Sequence, residues 1–208
     1  MTDKNIEVEL RGPLSEEGYD GLLELLKTKG RLVKNQHRLL LDYSTFFEGI
    51  AERTLDVRVR VTDGKTEIVV KKGRFGGSSR EEASIFPEDN NIEKTLKLMS
   101  LLGYNKAVAC DRRIQRYIID DIEIAVQDVI DFNKPGAIHS RFFEAEIMAD
   151  EAGKDFAVVR IREFLSLHGL KEFSETEWNE YVATMNTEAN GVFDYEHDPI
   201  SSITDLIT

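Results

Sequence analysis

Three segments of the chain alternate charged and aliphatic residues at the spacing of a β-strand. The first, Ile6–Arg11, reads Ile-Glu-Val-Glu-Leu-Arg, and the same alternation returns at Val57–Val61 and at Phe143–Ile147. Because successive side chains of a strand point to opposite faces, each segment has one aliphatic face and one densely charged face. Two segments carry paired carboxylates and one carries paired guanidiniums. If these charged faces converge, they form a site for metal ions and a polyanion.

The composition limits the classes of protein that need to be considered. A length of 208 residues suits one globular domain, or a domain with an appendage. The single cysteine, Cys110, excludes an internal disulfide and a cysteine-rich zinc site. A net charge of −12 disfavours a nucleic-acid partner, since nucleic acid is itself an anion. There is no apolar run of membrane-spanning length and no signal-peptide core at residues 1–5, so we expect a cytoplasmic protein with no membrane partner.

The spacing of apolar and turn residues predicts strands interspersed with three helices. Strands are expected at residues 4–11, 31–43, 54–62, 65–73, 80–86, 106–119, 122–130 and 139–149. Helices are expected at residues 15–29, 91–102 and 151–168. We place one domain at residues 1–170 and a C-terminal extension at residues 171–208, with a short helix near 175–186 and then loop or partly flexible chain.

About eight strands with short connections indicate a mostly antiparallel α+β fold. In a sandwich, the charged strand faces would simply meet water. In a barrel, helices could cover the aliphatic faces and leave a polar lumen. One charged strand face by itself is ordinary at a solvated sheet surface, but two carboxylate pairs together with an arginine pair favour a converging site.

The paired carboxylates are candidates for binding a metal ion. Glu7 and Glu9 share one face of the first strand, and Glu144 and Glu146 share one face of the last long strand. Two such pairs brought together would repel each other unless a cation lay between them. Ligand sets made only of oxygen suit Mg²⁺ or Mn²⁺.

The paired cations are candidates for binding phosphate. Arg58 and Arg60 share one strand face, and the partner strand of the predicted hairpin contributes Lys71. Guanidinium groups match the oxygens of phosphate in bidentate geometry, although cross-strand ion pairs with carboxylates are an alternative role. Arg80 and Glu82 repeat the alternation on the next strand.

The register of the strand that contains three further arginines is ambiguous. Arg113 would share a face with Gln115, whereas Arg112 and Arg116 would share the other face. We expect Arg113 to face the interior. Asp128 on the following strand is then a further candidate ligand, or a partner for an arginine.

In their order along the chain, these charged groups resemble the motifs of the CYTH superfamily, the triphosphate tunnel metalloenzymes. The resemblance covers about residues 4–165 and implies an eight-stranded antiparallel β-barrel, or tunnel, with a charged lumen and flanking helices. The superfamily includes inorganic and thiamine triphosphatases and class IV adenylate cyclases. The chain departs from the usual pattern at Arg11, where the family has lysine, and at Ser84, where a glutamate is usual. Arginine stays protonated and is a poor proton acceptor.

The resemblance implies a role for each group. The metal ligands would be Glu7, Glu9, Asp128, Glu144 and Glu146, and the metal Mg²⁺ or Mn²⁺. The phosphate-binding groups would be Arg11, Arg58, Arg60, Lys71, Arg80 and Arg113. The catalytic set would be Glu7, Glu9, Arg11 and Glu82. The implied reaction is hydrolysis of a small-molecule triphosphate, inorganic or organic. The alternatives are a cyclase that makes cyclic AMP and a non-catalytic binder of polyphosphate or nucleotide. The sequence leaves open which triphosphate is used and whether the chain forms a homodimer.

Overall fold

The computed structural model describes residues 6–134 and 136–207. Lys4 and Asn5 of the predicted first strand, Pro135 and Thr208 lie outside the described residues. The strands are β1 (Ile6–Pro13), β2 (Arg31–Asp42), β3 (Leu55–Thr62), β4 (Lys65–Lys72), β5 (Ser79–Ile85), β6 (Lys106–Ile119), β7 (Ile122–Ile130), β8 (Ile138–Ala149) and β9 (Gly191–Asp194). The helices are α1 (Glu16–Lys29), α2 (Ile92–Leu101), α3 (Lys154–Leu167), α4 (Glu175–Glu188) and α5 (Ser201–Thr204), with one 3₁₀ turn at Ser44–Phe46.

The strands form a closed antiparallel ring. Their order is β2-β3-β4-β5-β1-β8-β7-β6, and β6 pairs back with β2 to close the barrel. The predicted eight-stranded α+β barrel is therefore confirmed. The structure adds a ninth strand, since β9 pairs with the first four residues of β6, where the sequence predicts loop.

Local sequence signals account for the ends of several elements. The side chain of Ser15 accepts a hydrogen bond from the backbone N–H of Gly18 and caps the start of α1. The turn between β3 and β4 has positive φ at both central residues, 49° at Asp63 and 76° at Gly64. This is the conformation of a type I′ hairpin turn, whose twist matches that of the flanking strands.

The aliphatic faces of the strands point outwards into two hydrophobic cores. The first core packs β1, β7 and β8 against α1 and α3, with Val8, Ile124, Leu26 and Ile161 among its buried members. The second packs β2 and β3 against α2, β9 and α5. Because both cores lie outside the barrel, the alternation of each strand turns the charged side chains to the inside.

The C-terminal segment lies across one end of the barrel. An added Cβ on Gly12 would lie only 1.8 Å from the carbonyl oxygen of Lys171, so the chain crosses β1 in close contact. The backbone N–H of Phe173 donates to the carbonyl oxygen of Arg11 at 2.8 Å. From there α4 runs over the strand ends, where Tyr181 Oη lies 2.7 Å from Ser140 Oγ. None of the helices in the described part of the chain combines the length and the apolarity needed to cross a membrane.

Candidate active site in the tunnel

The barrel encloses a charged cavity of about 130 Å³, and side chains from all eight barrel strands reach its wall. Nine of the predicted site residues line it: Glu7, Glu9, Arg11, Arg58, Arg60, Lys71, Arg80, Glu144 and Glu146. The convergence of charged faces that the alternation predicts is therefore present in the structure.

The neighbouring strands β1 and β8 form a wall of carboxylates. Glu9 lies directly opposite Glu146 in the pairing of the two strands, and Arg11 lies opposite Glu144. Gln127 of β7 donates a hydrogen bond to Glu144. We refer to Glu7, Glu9, Glu144 and Glu146 as the carboxylate wall.

The pKa values of this wall reflect crowded negative charge. Burial, followed by the charges of Glu7 and Glu9, raises the pKa of Glu146 to about 8. Burial and the charge of Glu9 also raise the pKa of Glu144. Glu9 behaves in the opposite way: burial alone would raise its pKa, but nearby cations, Arg11 first, hold it well below its usual range. Burial and mutual repulsion therefore disfavour the ionisation of all four carboxylates at once.

A wall of guanidiniums faces the carboxylates. Its members are Arg38 of β2 and Arg58 and Arg60 of β3, all partly or fully buried. In the ring of strands, β2 is four places from β1, and β3 is four places from β8, so the two walls lie on opposite sides. Burial, and then the charges of Arg60 and Arg116, lower the pKa of Arg38 to about 10. Like charges held this close favour a bound anion.

Lys71 and Glu82 connect the two walls. Lys71 Nζ contacts Glu7 and lies 2.7 Å from Glu82 Oε2. Glu82 Oε1 in turn lies 3.5 Å from Arg60 Nη1. The cations and carboxylates therefore neutralise each other across the lumen, and an entering phosphate with its metal would exchange partners with these pairs.

A second buried network closes the end of the barrel under α4. Arg53 Nη1 lies 2.8 Å and 2.7 Å from the two carboxylate oxygens of Asp42. Arg80 Nη1 lies 3.1 Å from Asp56 Oδ2, and Arg58 also pairs with Asp56. The pKa of Asp56 is held well below its usual range, because the arginines, Arg58 first, outweigh the effect of burial.

Sequence reasoning missed several residues of the cavity. Arg53 lies in the connection between β2 and β3, where strand periodicity gives no signal. Asp56, which does not line the cavity but pairs with Arg58 and Arg80 beside it, could have been found, since it continues the alternation of Arg58 and Arg60 by one step. Arg38 and Asp42 also alternate, but the intervening run Leu39–Leu41 makes β2 read as uniformly apolar.

The predicted orientation of Arg113 is wrong. Arg113 is exposed and pairs in register with His37 and Asp128, whereas Arg112 and Arg116 line the cavity. The pairing of β6 with both neighbours sets which face points inwards, and the run of arginines on both faces conceals it.

The placement of Asp128 among the metal ligands is also wrong. Its Oδ1 accepts a hydrogen bond from Arg141 Nε at 2.9 Å. It shares the outer face of β7 with Ile124 and Val126, which belong to a hydrophobic core. Its neighbour Gln127 occupies the inward position instead.

The carboxylate wall fits a hard divalent cation by its chemistry. It offers oxygen ligands only, and its four acidic side chains line one cavity. Within residues 6–134 and 136–207, no three acidic, histidine or cysteine residues are already grouped as a metal site. The ion pairs of Lys71 and Arg11 with Glu7 and Glu9 explain this, because those carboxylates face cations.

No protein-family model matches the chain, and no curated protein matches its sequence. Solved structures do match its fold. The PH1819 protein of Pyrococcus horikoshii OT3 is 16% identical with a TM-score of 0.65, over 86% of this chain and 98% of that one. A candidate adenylate cyclase from Vibrio parahaemolyticus is 17% identical with a TM-score of 0.58, over 83% and 92%.

A third match is HpAC1 from Hippeastrum, a candidate adenylyl cyclase with a dominant triphosphatase activity. It is 16% identical with a TM-score of 0.50, over 80% of this chain and 89% of that one. At this level of identity the likenesses show the fold. The chain therefore shares the antiparallel barrel fold of these proteins.

Proposed function

We propose that the protein hydrolyses a small-molecule triphosphate inside the tunnel with the help of Mg²⁺ or Mn²⁺. The observation that carries this proposal is the opposition of the carboxylate wall on β1 and β8 to the guanidiniums on β2 and β3. A metal triphosphate has the complementary charge pattern, since its cation prefers carboxylates and its phosphate oxygens prefer guanidiniums. The triphosphatase activity of HpAC1, which has the same fold, supports the proposal.

The cations of the lumen bind and orient the phosphates. Arg58 and Arg60 offer forked donors to phosphate oxygens, and Lys71 contributes a compact charge. Phosphoryl transfer needs mainly positioning and neutralisation of charge on the transferring group, and both are more effective where water is excluded. Glu82 keeps Lys71 and Arg60 on the lumen side through its contacts at 2.7 Å and 3.5 Å.

The carboxylate wall serves the attacking water. A divalent ion held by this wall would act as a Lewis acid and lower the pKa of a bound water. Arg11 stays protonated and cannot take the proton of that water. A carboxylate of the wall is the better acceptor, since these side chains line the same cavity as the bound water.

Release of orthophosphate from inorganic tripolyphosphate with Mg²⁺ or Mn²⁺ tests the proposal. We expect Arg58→Ala to lower kcat/KM by about 100-fold, the usual cost of removing one charge-stabilising donor. Arg113→Ala is the matched control: it removes an exposed arginine outside the barrel and should leave kcat/KM within about twofold.

Two results would replace the hydrolase proposal. Formation of cyclic AMP and pyrophosphate from ATP would identify a cyclase using the same charged tunnel. Tight calorimetric binding of tripolyphosphate, with no turnover of any triphosphate by correctly folded protein, would identify a binder.

A further inference from the structure

The guanidinium of Arg11 is held on two sides. Its Nε donates to Glu9 Oε1 at 2.8 Å, and its carbon Cζ lies 4.7 Å from the centroid of the Trp178 ring. Arg11 is 5% exposed and Trp178 is 8% exposed, so this cation–π pair is almost free of water. A cation over an indole face is attracted by the ring quadrupole, most strongly when the pair is desolvated.

The terminal nitrogen Nη2 of this guanidinium is only partly satisfied. Arg11 Nη2 lies 2.5 Å from Glu9 Oε1, but it makes no hydrogen bond among the described residues and is fully buried. A buried donor without a partner costs free energy unless a ligand satisfies it. Arg11 and Trp178 both line the tunnel cavity, so an anion in the cavity lies beside the guanidinium.

Trp178 is itself fixed within α4. Its ring stacks on Tyr181 with centroids 5.7 Å apart and planes inclined by 22°. Phe142 and Phe173 pack beside it at 5.5 Å and 5.7 Å. Gly76, at φ +80°, brings the loop before β5 against the indole, where an added Cβ would lie 3.3 Å from Trp178 Cδ1.

We infer that Trp178 is a positioning residue for Arg11: its ring holds the guanidinium at the cavity wall, where the guanidinium binds a phosphate oxygen of the triphosphate. The inference rests on the proposed function. It also gives a physical reason for arginine at position 11, because a planar guanidinium stacks on indole, whereas the ammonium of lysine is a strongly hydrated point charge. The C-terminal segment is then part of the substrate site.

A double-mutant cycle measures this coupling. The ligand is imidotriphosphate, a non-hydrolysable analogue of tripolyphosphate, and its Kd is measured by calorimetry with Mg²⁺. We expect Trp178→Leu to raise Kd by about 30-fold, corresponding to about 2 kcal/mol for a desolvated cation–π pair. In an Arg11→Met background the same change should alter Kd by less than about twofold, since the cation of the pair is already absent.

Two further variants show that the effect belongs to the ring face. Trp178→Phe keeps an aromatic face and should raise Kd by only about threefold. Phe173→Leu removes another ring from the same cluster and should stay within about twofold, because the cation–π pair among the described residues is with Trp178. An equal loss for Trp178→Leu in both backgrounds would assign a merely structural role and overturn the inference.

Fluorescence provides a second readout, because Trp178 is the only tryptophan in the chain. Titration with imidotriphosphate should change its emission, and Arg11→Met should remove most of that change. This readout decides the question if Trp178→Leu fails to fold. Binding by the wild type with unchanged emission would overturn the inference alone, whereas no binding at all would also overturn the proposed function.

Discussion

Replacing Glu146 by glutamine should stabilise the metal-free protein at alkaline pH. The pKa of Glu146 is raised from 4.5 to about 8 in the folded protein by burial and by neighbouring carboxylates. A carboxyl whose pKa is higher when folded stabilises the fold below its unfolded pKa, and this contribution is lost as pH rises through the folded pKa. The wild type should therefore lose stability between pH 4.5 and pH 8, and Glu146→Gln should lose less.

The structure sets the size of this effect. The rise in the pKa of Glu146 from 4.5 to about 8 corresponds to at most about 5 kcal/mol in the free energy of unfolding. Glu7 and Glu9 lie in the same wall and share the repulsion, so the effect of one substitution is smaller. We expect Glu146→Gln to raise the free energy of unfolding by about 2 kcal/mol at pH 8.5, which corresponds to a rise in Tm of about 4–8 °C. Near pH 4.5 the variant and the wild type should differ little.

Thermal unfolding in EDTA at pH 5, 7 and 8.5 measures the difference. Glu81→Gln is the control, because Glu81 is an exposed glutamate on the outer face of β5. Saturating Mg²⁺ should reverse the advantage of Glu146→Gln, because the wild-type carboxylate then has a cation. Parallel Tm curves for variant and wild type across this pH range would refute the account of the carboxylate wall.

Three further changes test the packing and the charge network. Gly12→Ala places a Cβ 1.8 Å from the carbonyl oxygen of Lys171 and should lower the free energy of unfolding in urea by about 3 kcal/mol. Gly21→Ala on α1 is the control: its Cβ meets nothing within 4 Å, so the variant should be neutral or stabilising. Asp42→Asn leaves the buried Arg53 without its carboxylate and should lower the free energy of unfolding by about 3–5 kcal/mol in the same assay. Asp128→Asn, which removes an ion pair on the outer face, should lower it by less than about 1 kcal/mol. Mg²⁺ at about 100 times its Kd should stabilise the wild type by about 2.7 kcal/mol, and Glu9→Gln should abolish most of this stabilisation. Equal stabilisation of the wild type and the variant would contradict metal binding at the wall.

The strands with a clean period of two were predictable, together with the side chains that they turn inwards. Glu7, Glu9, Arg58 and Arg60 were found because charged and aliphatic residues alternate without interruption on β1 and β3. The choice of a barrel over a sandwich followed only from the order of the motifs along the chain. Strand periodicity shows which side chains share a face of the sheet, but it does not show whether the sheet closes on itself.

The rest of the site depends on tertiary structure. The inward face of β6 is set by its pairing with β2 and β7, which places Arg112 inside and Arg113 outside. Arg53 and Trp178 reach the cavity from a loop and from a helix, where strand periodicity gives no information. The weakly periodic stretch that contains β9 forms a strand because the free edge of β6 pairs with it.

The most direct test of the central claim is a metal titration of orthophosphate release from inorganic tripolyphosphate. The opposed walls of carboxylates and guanidiniums predict release that requires Mg²⁺ or Mn²⁺, stops in EDTA, and falls by about 100-fold in Glu9→Gln. The claim of metal-dependent hydrolysis would be contradicted if release persisted unchanged in EDTA. It would also be contradicted if folded protein released no phosphate from any triphosphate tried.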